Sequence, residues 1–452
     1  MRFVCLNDAV RERLSILVFA VFAGFTILLP GPVFGQSNTL SFRPVAAEFS
    51  TPLNRIIMIS ASPNQLHIYR AAGASDITVP LSKTPLSLAL SSDGVHAAVG
   101  HESLISYVNL TSAMVEKTFP ISVTAQTIAL SATWIYVMPS YQGNSVSVQI
   151  ATGTVTPNRA VFYASGGKVN PAVNALYSTQ DGLSPNKISR YDISTGPITK
   201  QIEAPYHGDY PTCGPLFFST DGSRIYTGCN AVFRASTDPS LDMRYLTSFP
   251  AGLNARSITE SAALKRVAAV TGPRYTGDMV TNDNIVFMYE YEHLNPVGQF
   301  TLADLQGPGS RTFRNHAKWV FFDADSTALY VIVQADQSSG VLNDFSVQTI
   351  SLAPAAACGA SFNLSSAEAV ADGAIGTVSI SAQSSCRFGT KMPAPWWSLR
   401  RSTPPRLLRR VTVWPRYLRL CKRRLHSPSM VEAAPPGRVW EPVHSRTSAL
   451  QE

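Results

Sequence analysis

The feature that most restricts how this 452-residue chain can fold is a hairpin that it writes three times. One copy reads Leu86-Ser-Leu-Ala-Leu-Ser-Ser-Asp-Gly-Val-His-Ala-Ala-Val-Gly100, a second runs from Leu216 through Asp221-Gly222 to Gly228, and a third from Val320 through Asp323-Ala-Asp325 to Val333. Each is a short apolar strand, a polar tight-turn pair and a second apolar strand. Asp93-Gly94 and Asp221-Gly222 supply the positive φ that such a turn requires. Helix-length stretches with a 3.6-residue apolar period are nearly missing, so the hairpins must find their partners in other strands.

Those partners follow in order. Trp134-Ile-Tyr-Val-Met138 leads to Asn144-Ser-Val-Ser-Val-Gln-Ile-Ala-Thr-Gly153, Ile188 to Gly196 repeats the later half, and further copies begin at Arg55 and Arg266. From about residue 45 to 353 the theme returns about seven times, near the ~40 to 50 residues of a propeller blade. A lone four-stranded sheet leaves two open edges and an apolar face, and radial repetition buries those faces against neighbours. The expected fold is therefore all-β, an about seven-bladed β-propeller over residues 38–353. The last unit offers only the strands 320–322, 329–333 and 345–352, so the early segment 39–43 is expected to add the outer strand and close the ring.

Charge excludes one class of partner. Hydrophobic residues make up 45% of the chain and charged ones 15%, which suits a strand-rich globular body. The formal net charge is +8, but residues 387–452 hold fourteen Lys and Arg against Glu432, Glu441 and Glu452. That segment carries +11 and the remainder −3, which is not the distributed basic face of a nucleic-acid binder. At the other end, Arg2, Arg11 and Arg13 precede the mostly apolar run 14–29, Pro30-Gly-Pro and Val33-Phe-Gly35. This is the pattern of a signal peptide, residues 1–35, cleaved after Gly35. The run is shorter than the ~20 residues that span a bilayer, and no later run matches it. A secreted, periplasmic or cell-surface protein without an integral membrane segment after cleavage is expected.

Export places the cysteines in an oxidising compartment. Cys213 and Cys229 stand almost equidistant from Asp221-Gly222, so the hairpin would set them opposite each other as a disulfide. Neither has a Cys or His partner at a zinc spacing.

The run from Pro85 through Asp93-Gly94, with Ile135-Tyr-Val, Asn144-Ser-Val-Ser-Val and Tyr191-Asp-Ile-Ser-Thr-Gly196, resembles the YVTN-type repeats of bacterial extracellular β-propellers. Met138-Pro139 stands where the Thr-Asn of that repeat would fall. Beyond the ring, Cys358-Gly-Ala-Ser-Phe362-Asn-Leu364-Ser-Ser, Gly373-Ala-Ile-Gly376-Thr-Val-Ser-Ile and Cys386-Arg-Phe388 resemble the opening of BACON-like β-sandwich modules. That resemblance implies pairing of Cys358 with Cys386, and glycan or mucin contact. The module occupies 354–388 and looks truncated: from 389 to 452 Pro and Arg displace β-branched alternation, as in a disordered or frameshifted basic tail.

In a propeller the loops between second and third strands, and those passing from one blade to the next, share one face, and function concentrates there. On that face the sequence places His101, Glu102, His207, Asp209, Arg274, Asp278, Arg314 and His316 as candidate ligand-binding residues, with Asp283 in the longest blade loop. Imidazoles and carboxylates there could act as ligands, acids or bases. The chain has no nucleophile elbow, zinc motif, phosphate loop or dinucleotide fingerprint, so no catalytic residue, metal or cofactor is assigned. Asp323-Ala-Asp325 lacks the rest of a calcium loop and reads as a structural turn. The expected function is a monomeric binding or interaction scaffold for a protein or carbohydrate. The alternative is a hydrolase or lyase of the lactonase or streptogramin-lyase type, which needs polar groups from several blades to converge.

Overall fold

The computed structural model describes residues 34–138, 143–162, 164–180, 184–250, 253–273, 280–307 and 311–352, with four short strands beyond them. The chain divides into two compact units, Met1–Pro354 and Ala355–Glu452.

The first unit is a seven-bladed propeller of antiparallel sheets. The inner strands of blades 1 to 7 are Pro44–Ser50, Ser87–Leu90, Thr127–Leu130, Ala164–Asn170, Leu216–Phe218, Ala255–Ser261 and Asn315–Phe322. Six blades have four separate strands. In blade 2 the run His96–Asn109 folds back on itself: Ser103 takes φ 56°, and Leu110 N–H donates to Val95 O at 2.9 Å. Among the described residues the sole helical piece is the 3₁₀ turn Gln337–Ser339, and no helix is long and apolar enough to cross a membrane.

Period-two alternation explains why sheets of this sequence stack as a ring. In Arg55–Ala61, Ile56 and Met58 pack against blade 7, while Ile57 and Ile59 pack against blade 2. Both faces are apolar, so each sheet needs two neighbours. Seven apolar clusters result, each straddling one blade junction. Full burial of a side chain such as Ile57 contributes roughly 1.5–3 kcal/mol.

The ring closes between the two ends of the unit, with a strand that overlaps the expected segment at Thr39 and otherwise precedes it. Phe34–Thr39 is the outer strand of blade 7, pairing Ser37 with Gln348, Asn38 with Val347 and Thr39 with Ser346. Residues 40–43 instead cross to the inner strand of blade 1. Leu40 and Phe42 are buried in the cluster between blades 7 and 1, and Phe42 stacks on the His67 ring at 3.4 Å. Their apolar side chains are the plug of the junction, while the Leu40 N–H still donates to Phe345 O of blade 7 at 2.8 Å.

The repeated hairpins form the turn rim. Gly94 and Gly222 both take φ +69°, and a Cβ on Gly222 would lie 2.5 Å from the Ala172 Cβ. Ser326, at φ 59°, fills the equivalent place in the third copy. There Asp323 accepts from Thr327 N (2.7 Å), Ala328 N (3.0 Å) and Thr327 Oγ1 (2.7 Å), so it serves as a turn carboxylate. Since strands alternate in direction, the blade-to-blade loops lie on the opposite rim. Between the rims, Lys168 of blade 4 reaches Glu48 of blade 1 at 3.1 and 3.2 Å, spanning the ring.

In the second unit Ala360–Phe362, Thr377–Ala382, Arg409–Val413 and Leu399–Arg400 are antiparallel neighbours in that order. Cys358, Cys386 and the boundary at 389 lie outside the described residues, as does the segment 1–33.

Candidate functional site

Polar groups from far apart in the sequence meet on the loop rim between blades 6 and 7. Asp283 ends the loop that follows Arg266–Thr271, and it is buried. His316 Nδ1 lies 2.7 Å from Asp283 Oδ2, while Arg314 donates to Asp283 Oδ1 and Asn284 Oδ1, both at 2.9 Å, and to Thr281 O. The backbone locks the arrangement, for Ala317 N–H donates to Asp283 O at 2.6 Å. His316 Nε2 lies 3.7 Å from Asp336 Oδ2. The Asp336 carboxylate accepts from Ser338 N at 2.8 Å, a bond that holds its pKa below the usual range. An imidazole set between two carboxylates and still partly exposed can bind a ligand or move a proton.

Beside this network the inner strands present two cations by a shared device. In blade 6 Ala255 pairs with Thr271 and Ser257 with Val270, leaving Arg256 as the extra residue of a β-bulge. In blade 7 Ala317 pairs with Val333 and Trp319 with Ile332, leaving Lys318 likewise. A bulge turns one side chain away from the normal alternation. Arg256 lines a cleft of about 150 Å³ with Asn186, Cys213, Pro215, Asn254 and Pro273. Gly214 and Gly228 shape its floor: a Cβ on Gly214, at φ +72°, would lie 3.2 Å from the Gly228 Cα. Cys213 and Cys229, which flank the hairpin strands Leu216–Phe218 and Arg224–Thr227 of blade 5, lie at disulfide distance with Cα atoms 5.2 Å apart.

Burial pushes the Arg256 guanidinium below its ordinary pKa, opposed by Asp283. Burial also lowers the Lys318 ammonium, and Arg256 adds to the effect while Asp283 and Asp344 oppose it.

The structure thus brings Arg314 and His316 together through Asp283 and leaves the other candidates in separate local networks. His101 is fully buried, with Nδ1 3.1 Å from Thr84 O and Nε2 3.0 Å from Ser106 Oγ, so it braces blade 2 and faces no solvent. Glu102 is exposed. His207 and Asp209 form an exposed turn in which His207 N–H donates to Asp209 Oδ2 at 2.9 Å. Arg274 and Asp278 lie outside the described residues. Among the described residues no group of three or more His, Cys, Asp or Glu is placed to hold a metal ion.

One arrangement escaped the sequence reading altogether. Ser60 Oγ lies 2.9 Å from His67 Nε2, and His67 Nδ1 2.8 Å from Asp76 Oδ2, the connectivity of a hydrolase triad. Its chemistry is blocked. The Ser60 hydroxyl is fully buried and donates to Pro63 O at 2.7 Å, and Phe42 covers the imidazole. It ties three strands of blade 1 together.

No protein-family model matches the sequence, and no curated protein matches it. Among solved structures, the β-propeller domain of Cps50 (Swd1) from Myceliophteria thermophila is similar over 70% of this chain and 100% of its own, at 12% identity and a TM-score of 0.50. Hydrazine synthase of Kuenenia stuttgartiensis is similar over 70% of this chain and 97% of its own, at 12% identity and a TM-score of 0.49. At such identity the likeness to the Cps50 domain shows the propeller fold alone.

Proposed function

We propose that this chain is an exported binding scaffold, a propeller of the YVTN repeat type that receives a protein or carbohydrate ligand on its loop rim between blades 6 and 7. The observation that carries the reading is the Asp283–Arg314–His316–Asp336 network, which joins blades 6 and 7 around a partly exposed His316 ring. A rigid ring presenting such a group fits recognition. The hydrolase or lyase reading needs a reachable nucleophile or a metal-ligand set; Ser60 is buried, and the described residues offer no such set. Export is supported by the 1–35 pattern, and cleavage after Gly35 would retain Ser37, Asn38 and Thr39, whose pairing closes blade 7. The BACON-like segment would then serve as an adhesion or spacer unit.

The test is retention of the full chain on an array of glycans and immobilised surface proteins, beside an Asp283→Asn/His316→Ala variant. Loss of about tenfold in affinity, the effect of removing one or two charge-assisted contacts, supports the reading. Unchanged retention by the variant, or no retention of the wild type on any surface, overturns it.

A further inference from the structure

The acidic groups at the mouth are all engaged, whereas two of its cations are not. Asp283 is held by Arg314 and His316. Asp344 is held by Arg43 at 3.1 Å and by Gln334 at 2.8 Å. Arg256 and Lys318, although partly buried, make no hydrogen bond or ion pair among the described residues; Arg256 has only a distant ring contact, 6.0 Å from Trp319. Neighbouring inner strands carry them, joined where Val320 N–H donates to Ser257 Oγ at 3.1 Å. Asp283 and Asp344 lend these cations only longer-range attraction, and two like charges in partly desolvated positions that bond to no anion are unfavourable for folding, so their placement points to something outside the chain.

The cleft beside Arg256 narrows the chemistry. Its polar lining includes Asn186 and Asn254, whose amides both donate and accept, as hydroxyl groups require. At about 150 Å³ the cleft has room for a ring-sized group. We infer that Arg256 and Lys318 form an anion subsite for an acidic saccharide, the guanidinium taking the carboxylate of a uronic-acid unit and the ammonium supporting it from the next blade. This deepens the binding-scaffold reading and rests on it. Arg matches a carboxylate with two parallel N–H donors, whereas Lys acts as a compact point charge.

The test is calorimetric titration of the full chain with an oligogalacturonate, a neutral galactose oligomer of equal length and a glutamate-rich peptide. The acidic oligosaccharide is expected to bind at least about tenfold more tightly than the neutral one, and to weaken as salt is added. Arg256→Gln and Lys318→Gln should each remove most of that preference, and Arg256→Lys should keep part of it. Because the native cations have no partner, both Gln variants should melt at the wild-type temperature or above, which a structural cation would not allow. Equal binding of the neutral oligomer, tighter binding of the peptide, or Gln variants with unchanged preference overturns the inference. If the array detects a ligand sensitive to Asp283→Asn/His316→Ala while oligogalacturonate fails, the anion subsite alone falls. If neither detects a ligand, both readings fall.

Discussion

On the turn rim the carboxylates of the three hairpin turns serve their own loops: Asp93 accepts from Ser91 and Val95, Asp221 from Ser219 and Ser223, Asp323 from Thr327 and Ala328. At the junctions of blade 7 with its neighbours on the loop rim the partners come from elsewhere in the sequence, with Asp283 bound to groups 31 and 33 residues away and Asp344 to Arg43 near the other end of the propeller segment. Carboxylates of the first kind finish a turn and have nothing left to offer. Those of the second kind knit blade 7 to blades 6 and 1. The hairpin turns are thus self-contained, whereas these junctions depend on partners brought together by the closed ring.

The sharpest way to break this contrast is to cut the covalent tie under the loop rim. Cys213→Ser/Cys229→Ser opens a loop with a sequence separation of 16 residues and should cost about 3 kcal/mol in denaturant unfolding. If the loss is negligible, the loop rim is held by its polar network alone. On the turn rim, Asp323→Ala strips three donors of a buried acceptor and should cost roughly 2–3 kcal/mol, with ligand retention intact. A change in retention instead would mean that the rims communicate.

The smallest effect concerns His101, a loop-rim residue that behaves like a turn-rim one. Burial lowers its pKa from the ordinary 6.5, so the unfolded chain takes up the proton first as pH falls. Stability contributed by the neutral ring is present above pH 6.5 and drains away below it, down to the folded-state pKa. His101→Gln should flatten that part of a stability-versus-pH curve relative to wild type; an identical slope would show that the ring stays solvated.

The same division decides what could be read from the sequence. Asp93-Gly94 and Asp221-Gly222 are contiguous, carry their own partners and announce the hairpins, so the ring and its blade number were legible. The closing strand was placed a few residues late, because Leu40 and Phe42 look as strand-like as Asn38 and Thr39 until their burial between blades is known. At the mouth, the pair Arg314 and His316 was visible, but Asp283 became its centre only through the packing of blade 6 on blade 7. Arg256 and Lys318 were missed because alternation assigns strand residues to one face or the other, and the bulges that release them leave no mark in residue type. His101 looked like a site residue because spacing cannot tell a turn that faces solvent from one folded inward.

The Glu48–Lys168 pair joins blades that do not touch each other, so it acts as a spoke across the hub. With its side chains 41% and 30% exposed, the pair stands in water, so this spoke links opposite sides of the wheel through a contact worth only about 0–1 kcal/mol.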